Sequence, residues 1–349
     1  MNNKLRIGVI GGGGIARSAH IANYRKYTEM AEVVAVADVN EQALQLVKEQ
    51  FAIPNTYADA LEMLQQEKLD AVSVCTPNKY HASSAIAALQ AGCHVLCEKP
   101  PAMNAQEAVE MESAAVKSGK KLFYGFHHRF SPAAQMLRRY SEAGELGSIY
   151  AGKIMARRRS GIPGWGVFTN KELQGGGPLI DIGVHMLDLA LHLMHYPEPK
   201  YVFGMTYREL GNRPMTPTWG GQWDYRNYSI EDLAMAMITF HNGATLQLET
   251  SFIVHTKENE TMNIELYGSE GGCSYAPPAI YKDMHGTIVD ITPGYLSNFS
   301  GHQMEIEAFL RACQGESTFL STASQGVFIQ KLIDAIYASA RGGKPILLN

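Results

Sequence analysis

The residues from Leu5 to Ala16 constrain the fold of this chain more than any other stretch. Leu5–Ile10 is a short apolar run of the kind that forms a buried parallel strand. Four consecutive glycines follow it, and apolar or small residues at helical spacing then continue to Tyr27 without a proline. A strand that passes through a glycine turn directly into a helix is typical of a parallel α/β sheet.

Three residues of this stretch have the G-x-G-x-x-A spacing of a dinucleotide-binding turn, namely Gly11, Gly13 and Ala16. Gly11 would form the tight turn, Gly13 would let the backbone approach a pyrophosphate, and Ala16 would keep the helix close to the strand. The helix begins near Gly14 and Ile15, where backbone N–H groups and the helix dipole attract phosphate. Glycine-rich turns also serve as plain connections, so the motif needs support from elsewhere in the chain.

A second apolar strand, Val33–Ala37, supplies that support because it ends in Asp38, about 20 residues beyond the glycines. A carboxylate there accepts both ribose hydroxyls of an adenosine and repels a 2′-phosphate. Val39 and Asn40 follow, so no arginine stands beside Asp38 to receive that phosphate. We therefore predict NAD rather than NADP as the cofactor. The alternative role for Asp38 is the N-cap of the next helix.

Strands and helices alternate from Leu5 to about Gly125, which predicts a doubly wound parallel sheet of the Rossmann type. Ligands of such sheets bind beyond the carboxyl ends of the strands. Besides the glycine turn, two other strand ends, Cys75-Thr76-Pro77-Asn78 and Glu98-Lys99-Pro100-Pro101, should face the same crevice.

The pattern changes after Gly125. Several strand candidates follow, and His241-Asn242-Gly243 between two of them is a hairpin signal. Strands joined by hairpins indicate an antiparallel sheet, so the second half is predicted as an α+β domain with a large, mostly antiparallel open sheet. We predict two domains, residues 1–125 for the dinucleotide and residues 126–349 for substrate binding and oligomerisation. The length of 349 residues supports two cores rather than one.

Composition excludes several classes of protein. A formal net charge of −4 argues against a general nucleic-acid binder. No apolar stretch reaches the length of a transmembrane helix, so we expect no membrane partner. The five cysteines are scattered and contain no C-x-x-C pair, which is typical of reduced thiols in a cytoplasmic protein.

Lys99 is the first candidate for chemistry. It stands at a predicted strand end, and Pro100 restricts the backbone that carries it. A partly desolvated lysine near a positive nicotinamide ring would have a lowered pKa and could handle a hydroxyl proton. A surface ion pair between Glu98 and Lys99 is the alternative.

Asp181 and His185 are the second candidates, because they are four residues apart on a predicted helix that begins near Pro178 and so share a face. At that spacing they can hold neighbouring hydroxyls of one substrate, with His185 accepting a proton. A helix-surface hydrogen bond between the two side chains explains the spacing equally well. Metal binding by His185 and Asp188 is a third possibility, although we predict no metal site.

Three weaker groups could contact substrate. His127-His128-Arg129 follows the last strand of the first domain, or simply packs at a domain junction. Trp165 and Phe168 in a glycine-rich stretch could stack on a sugar ring or anchor their own loop. Arg157 and Arg159 alternate along a predicted strand, where they would bind an anionic group or form salt bridges.

Together these motifs resemble the glucose–fructose oxidoreductase/inositol dehydrogenase (Gfo/Idh/MocA) family over the whole chain. The resemblance rests on the glycine turn, Thr76-Pro77-Asn78 with His81 following, Glu98-Lys99-Pro100, and Asp181-Ile182-Gly183-Val184-His185. It implies that the Thr76, Glu98 and His81 segments line the cofactor crevice. It departs from the family pattern at His127 and His128, where Asn or Arg is frequent.

The resemblance implies NAD(P)-dependent oxidation of a ring carbinol of a sugar, inositol or related cyclic polyol. Lys99, Asp181 and His185 would form the catalytic set, with substrate bound between the cofactor crevice and the open sheet. A cis peptide in the Glu98–Pro101 turn and a homodimer or homotetramer packed through the sheet are also implied. Two other functions remain: a lyase or glycoside-cleaving enzyme that oxidises its substrate transiently with bound NAD, and a non-enzymatic NAD sensor.

Overall fold

The computed structural model describes residues 4–316 and 320–348, which form two compact units. Among the described residues, the first unit comprises those up to Phe130 together with Phe299–Gln330. The second comprises Ser131–Asn298 together with the residues from Lys331 onward.

Strands are numbered in chain order. They are β1 (Leu5–Ile10), β2 (Ala31–Ala37), β3 (Asn55–Tyr57), β4 (Ala71–Val74), β5 (His94–Cys97), β6 (Leu122–Tyr124), β7 (Ile149–Arg158), β8 (Pro199–Tyr207), β9 (Leu233–Phe240), β10 (Thr245–Ser251), β11 (Glu260–Gly268), β12 (Gly272–Tyr275), β13 (Pro278–Met284), β14 (Thr287–Ile291), β15 (Ser321–Thr322) and β16 (Ile346–Leu347).

The α-helices are α1 (Ala22–Tyr24), α2 (Glu41–Phe51), α3 (Ala60–Gln66), α4 (His81–Gln90), α5 (Ala105–Ser118), α6 (Pro132–Glu142), α7 (Lys171–Gln174), α8 (Val184–Leu193), α9 (Gly301–Cys313) and α10 (Ala323–Gly342). Two π-helical segments, Ala16–Ile21 and Leu179–Gly183, lead directly into α1 and α8. Short 3₁₀ turns cover Asn78–Tyr80, His127–Phe130 and Tyr225–Asn227.

The first unit contains the predicted parallel sheet, with strand order β15-β6-β5-β4-β1-β2-β3. Every pair is parallel except β15 with β6. The strand order reverses at β1, which lies between β4 and β2. A ligand crevice opens at such a switch point, beyond the carboxyl ends of the strands.

The second unit contains a sheet of order β14-β13-β12-β11-β7-β10-β9-β8-β16. All its pairs are antiparallel except β7 with β10. The hairpin predicted at 241–243 joins β9 to β10, with Gly243 at φ +88°. The predicted fold class, a Rossmann sheet followed by an α+β domain, is therefore confirmed.

The first unit differs from the predicted division at residue 125 because the chain returns to it through α9. Phe309 and Leu310 of α9 are fully buried in the same apolar cluster as Ile7 and Val9 of β1. The helix thus completes the core of the first unit, although more than 150 residues of the second unit separate it from β6 in sequence.

Candidate active site

The glycine turn after β1 leaves its backbone open at the switch point. Gly11 has a φ of +95°, and a Cβ there would lie 2.6 Å from the carbonyl oxygen of Cys75, so no other residue fits. At Gly13 and Gly14 an added Cβ would meet no atom of the described residues within 4 Å. Space therefore exists above these two residues for the pyrophosphate of a dinucleotide.

The helix after the turn is held closely to the sheet. Ala16 is fully buried, as predicted for the third position of the motif, whereas Ile15 is 39% exposed beside the turn. The side chain of Arg17 donates from Nε to the carbonyl oxygen of Gly13 at 3.4 Å. Arg17 therefore places a positive charge beside the turn, where it would favour a phosphate.

Asp38 bonds to backbone groups at the ends of two strands. Its Oδ2 accepts from the N–H of Gly12 at 2.6 Å, and its Oδ1 accepts from the N–H of Asn40 at 2.8 Å. The N-cap of α2 is Asn40, whose side chain accepts from the N–H of Gln42. The N-cap explanation for Asp38 is therefore wrong, and its carboxylate is held next to the glycine turn.

The strand end after β4 lies against the same turn. Thr76 Oγ1 is buried, and none of the described residues hydrogen-bonds to it. Pro77 is exposed, and Asn78 begins the following 3₁₀ turn. A buried hydroxyl beside an open backbone cradle fits a site that is completed by a bound polar group. The residues at this crevice thus fit a dinucleotide.

His81 is a buried residue between two strand ends. Its ring is 1% exposed, with Nδ1 2.8 Å from the carbonyl oxygen of Pro100 and Nε2 3.0 Å from that of Thr76. Burial lowers its pKa against the raising effect of these carbonyls and of Glu98. His81 therefore supports the two strand ends, and a direct contact with the cofactor stays a prediction.

Glu98 is also a supporting residue, because it is only 7% exposed. Its Oε1 accepts from Nε2 of His20 at 2.8 Å, and its Oε2 accepts from the backbone N–H of Lys99 at 3.2 Å. Nδ1 of His20 lies 3.0 Å from Ser73 Oγ, which lies 2.8 Å from the hydroxyl of Tyr24. This buried chain connects the helix after the glycine turn to the backbone of Lys99.

The charge state of Glu98 follows from this arrangement. Burial alone would raise the pKa of Glu98, but the hydrogen bond and charge of His20, with the charges of Lys99 and His302, lower it to about 2. Glu98 is therefore a carboxylate at neutral pH. Because Glu98 is buried, the alternative of a surface ion pair between Glu98 and Lys99 is wrong.

Lys99 itself is partly buried, and the Lys99–Pro100 peptide is cis, as the family resemblance implied. The charge of Lys99 acts on three histidines of the first unit. The ring of His127 stacks on that of His302 with centroids 3.7 Å apart, and its centroid lies 4.4 Å from that of His128. Burial is the largest cause that lowers the pKa of all three histidines, that of His128 to about 4, and the charge of Lys99 lowers each of them further. Repulsion within the stack also lowers the pKa of His127 and His128, whereas Glu98 raises that of His302 against its burial. The stack is thus neutral at pH 7.

Arg129 is a buried residue of the first unit. Its side chain is 1% exposed, and Nη1 donates to Oε1 of Gln325 at 3.0 Å. The buried guanidinium connects the turn after β6 to α10, and a contact of Arg129 with substrate stays a prediction.

In the second unit, Asp181 and His185 lie on what we call the substrate helix, the π-helical segment 179–183 continued by α8. The helix that the sequence predicts from Pro178 is therefore present, and a π-turn widens its first turn. Thr250 Oγ1 donates to the carbonyl oxygen of Pro178 at 3.0 Å, and its side chain packs where Gly183 has no Cβ. His185 is 6% exposed, and Asp181 is more accessible.

Glu231 anchors the start of this helix. Its carboxylate accepts from the N–H of Gly177 at 2.9 Å and from the hydroxyl of Tyr337 at 2.8 Å. Burial raises the pKa of Glu231 against these hydrogen bonds. A Cβ at Gly176 would lie 2.0 Å from the Tyr337 hydroxyl, so the glycines let this contact form. No local sequence pattern singles out Glu231, because its partners lie more than 50 residues away in sequence.

Asp188, considered earlier as a metal ligand with His185, is fully buried and accepts from the hydroxyl of Tyr196 at 3.2 Å. Among residues 4–316 and 320–348, no three His, Cys, Asp or Glu side chains are grouped so that they could hold a metal ion.

The two arginines predicted to face one side do not form a pair. Arg157 donates from Nη1 to Glu249 of β10 at 3.2 Å, so the salt-bridge alternative applies to it. Arg159 lies beyond the last residue of β7 and is exposed. Trp165 is 52% exposed and meets both Phe168 and Trp219 edge-on.

Comparison with known proteins decides the family. Residues 5–126 match the model described as an oxidoreductase family with an NAD-binding Rossmann fold, and residues 142–348 match the C-terminal alpha/beta domain of the same family. The chain belongs to the Gfo/Idh/MocA oxidoreductase family. The family resemblance and the NAD-binding Rossmann domain predicted from sequence are therefore confirmed.

Relatives of this Gfo/Idh/MocA protein include a D-glucoside 3-dehydrogenase of Escherichia coli (strain K12), 41% identical over 99% of this chain and 98% of the relative. A levoglucosan dehydrogenase of Pseudarthrobacter phenanthrenivorans is 28% identical over 76% of this chain and 72% of its own. A solved structure of levoglucosan dehydrogenase in complex with NADH has the same fold, with a TM-score of 0.85 at 22% identity over 99% of this chain and 100% of that one.

The structure also addresses the membrane question raised from the sequence. None of the helices in the described part of the chain is long and apolar enough to cross a membrane.

Proposed function

We propose that this protein is an NAD-dependent dehydrogenase that oxidises a secondary ring alcohol of a D-glucoside, at C3. The observation that carries the proposal is the 41% identity over nearly the whole chain to a D-glucoside 3-dehydrogenase. The candidate residues support it, because Lys99, Asp181 and His185 are all present on the elements described above. NAD is preferred over NADP because Asp38 is held at the second strand end and is followed in sequence by Val39 and Asn40, with no arginine there to receive a 2′-phosphate.

Each catalytic residue has a separate role in this proposal. When NAD is bound, its nicotinamide would supply the acceptor for the hydride that leaves the carbinol carbon. His185 takes the hydroxyl proton as general base. Lys99 donates a hydrogen bond to the oxygen as negative charge develops on it. Asp181, the more accessible residue of the substrate helix, holds a neighbouring hydroxyl.

The test is a panel of methyl α- and β-D-glucopyranosides, free sugars and inositols, each incubated with the purified protein and NAD. NADH formation is followed by the absorbance of the reduced nicotinamide at about 340 nm. NMR of the product then locates the new carbonyl carbon. Accumulation of a 3-keto glucoside with one NADH per product supports the proposal. A preference for free inositol, or oxidation at another carbon, would contradict the substrate assignment.

A lyase or glycoside-cleaving enzyme with transient oxidation is the second candidate, and the same panel separates the two. Such an enzyme regenerates its oxidised cofactor in each cycle, so free aglycone would accumulate without NADH.

We also propose that the protein is a homo-oligomer packed through the open sheet of the second unit. Tyr201, Phe203 and Tyr207 of β8 and Met235 and Met237 of β9 are 36–44% exposed on neighbouring strands. A contiguous apolar patch of this kind marks an interaction surface. Light scattering at micromolar concentration should give a multiple of 38.4 kDa. Phe203→Glu should shift the measured mass towards that of a single chain. A wild-type protein with the mass of a single chain would contradict the proposal.

A further inference from the structure

Two half-exposed tryptophans lie together on separate loops of the second unit. The ring centroids of Trp165 and Trp219 are 5.1 Å apart with their planes inclined by 67°, and Phe168 meets Trp165 edge-on at 6.3 Å. The tryptophans are 52% and 47% exposed. Large aromatic rings are normally buried, so a pair that remains accessible suits ligand binding. We call Trp165, Phe168 and Trp219 the aromatic platform.

The loops that carry the platform are held together by their backbones. The N–H of Gly164 donates to the carbonyl oxygen of Gly220 at 2.9 Å. A Cβ at Gly164 would lie 2.1 Å from the carbonyl oxygen of Gln222, so the loops approach too closely for any side chain there. The guanidinium carbon of Arg158 lies 4.1 Å from the ring centroid of Trp219 and fixes that ring by a cation–π contact. The platform is therefore built into the fold.

A short chain of contacts connects the platform to the substrate helix within the same unit. The backbone N–H groups of Thr218 and Trp219 both donate to the carbonyl oxygen of Ser160. Ser160 pairs with Ile253, just beyond β10. Thr250 of β10 in turn donates to Pro178, where the substrate helix begins. Platform and helix thus lie at the same end of the sheet.

The two groups differ in exposure and chemistry. His185 is 6% exposed, whereas both tryptophans are about half exposed. Carboxylate and imidazole bind hydroxyls, but an indole face offers no proton acceptor and instead packs against the C–H face of a flat ring. The platform is therefore unsuited to hold the reacting alcohol, and its exposed apolar faces suit the other half of a glycoside.

We infer that the aromatic platform is a subsite for a second sugar ring, linked glycosidically to the ring that is oxidised. The substrate class would then be a glucosyl-sugar rather than a simple glucoside. This inference rests on the proposed function, which it narrows.

The test compares matched substrates: methyl β-cellobioside against methyl β-D-glucopyranoside, and methyl α-maltoside against methyl α-D-glucopyranoside. For the anomer that is oxidised, the ratio of kcat/KM for the two-ring over the one-ring substrate is measured. Trp165→Ala and Trp219→Ala should lower this ratio about threefold to tenfold, the range of a stacking contact. Trp219→Phe, which keeps an aromatic ring at this position, should retain most of the wild-type ratio.

Tyr150→Ala is the matched control. Tyr150 is a 59% exposed aromatic residue at the opposite end of β7, so its replacement should leave the ratio as in the wild type. If the alanine variants lose activity equally on one-ring and two-ring substrates, the platform only supports its loops and the inference is wrong.

Intrinsic fluorescence tests the subsite without turnover. Two of the three tryptophans belong to the platform, and the third, Trp223, is 7% exposed. Titration of the protein loaded with NADH, which cannot accept a hydride, with the two-ring glycoside should change the emission more than titration with the one-ring glycoside. Wild-type protein that oxidises neither substrate would contradict the proposed function. An emission that does not respond to the two-ring glycoside would contradict the subsite.

Discussion

Replacing Glu98 by Gln should change how the stability of the first unit depends on pH. The side chain keeps its shape but loses the charge that His20 and the N–H of Lys99 contact in the structure. The pKa of Glu98 is lowered to about 2 by these groups despite burial, whereas an unfolded glutamate titrates near about 4.3. A difference of about two units is worth about 3 kcal/mol of unfolding free energy, at about 1.4 kcal/mol per unit.

The sign follows from proton binding. In the window between the two pKa values the unfolded chain binds the proton more readily than the folded one, so acid favours unfolding there. The stabilisation is complete above about pH 5 and is lost as the pH falls from about 4.5 towards 2. We therefore expect the unfolding free energy of the wild type to exceed that of Glu98→Gln by up to about 3 kcal/mol at pH 7, and this difference to disappear in acid.

Urea unfolding followed by far-UV circular dichroism, repeated from pH 7 to pH 2.5, measures this difference. The tryptophans report only the second unit, so hydrogen exchange of a β5 peptide is needed to follow the first. Glu110→Gln, which removes the charge of an exposed glutamate of α5, is the control. Its unfolding free energy should depend on pH in the same way as that of the wild type. A constant separation between wild type and Glu98→Gln at every pH would refute the reasoning, since it would show a packing effect without a charge effect.

Four further outcomes are expected. Lys99→Met should bind NAD almost normally yet lose at least about a hundredfold in turnover. The turnover of His185→Ala should fall by a similar factor, and that of the double variant by less than the product of the two factors. A double variant whose loss equals that product would show that the two residues act independently. Asp38→Ser combined with Val39→Arg should shift the measured affinity ratio towards NADP, and an unchanged ratio would remove Asp38 from the ribose site. Exhaustive chelation should leave turnover intact; loss that zinc or manganese restores would contradict a metal-free mechanism. His128→Asn should reduce the loss of stability between about pH 6.5 and pH 4, because the pKa of His128 is lowered to about 4 in the fold and its protonation favours unfolding; acid unfolding identical to wild type would exclude that contribution.

Local sequence patterns determined the elements of this fold to a large extent. The apolar run Leu5–Ile10, the turn at Gly11 and the hairpin at 241–243 all have the structures that their residues predict. Each depends on neighbours within a few positions, where side-chain periodicity and the backbone freedom of glycine decide the conformation. For the same reason the sequence predicts that Asp181 and His185 share a helix face, since helical spacing is a short-range property, and their joint role stays a prediction.

The supporting residues of the site were decided only by tertiary structure. His20 and Glu98 are 78 residues apart, and their contact requires β1, β4 and β5 to pair before it can form. Glu231 reaches Gly177 across 54 residues in the same way. No local spacing encodes which distant partner satisfies a buried carboxylate, although burial makes some partner obligatory.

The burial of a residue was likewise decided by the tertiary structure rather than by its motif. Arg129 and His81 belong to motifs that resemble those of a cofactor or substrate site, yet both side chains are 1% exposed and hold loops in place. The return of α9 to the first unit, which buries Phe309 against β1, is of the same kind. Sequence determines which segments are strands, turns and helices because those depend on adjacent residues. Which side chains face a ligand depends on where distant segments pack. That packing is decided only when each unit buries its apolar surfaces in its own core.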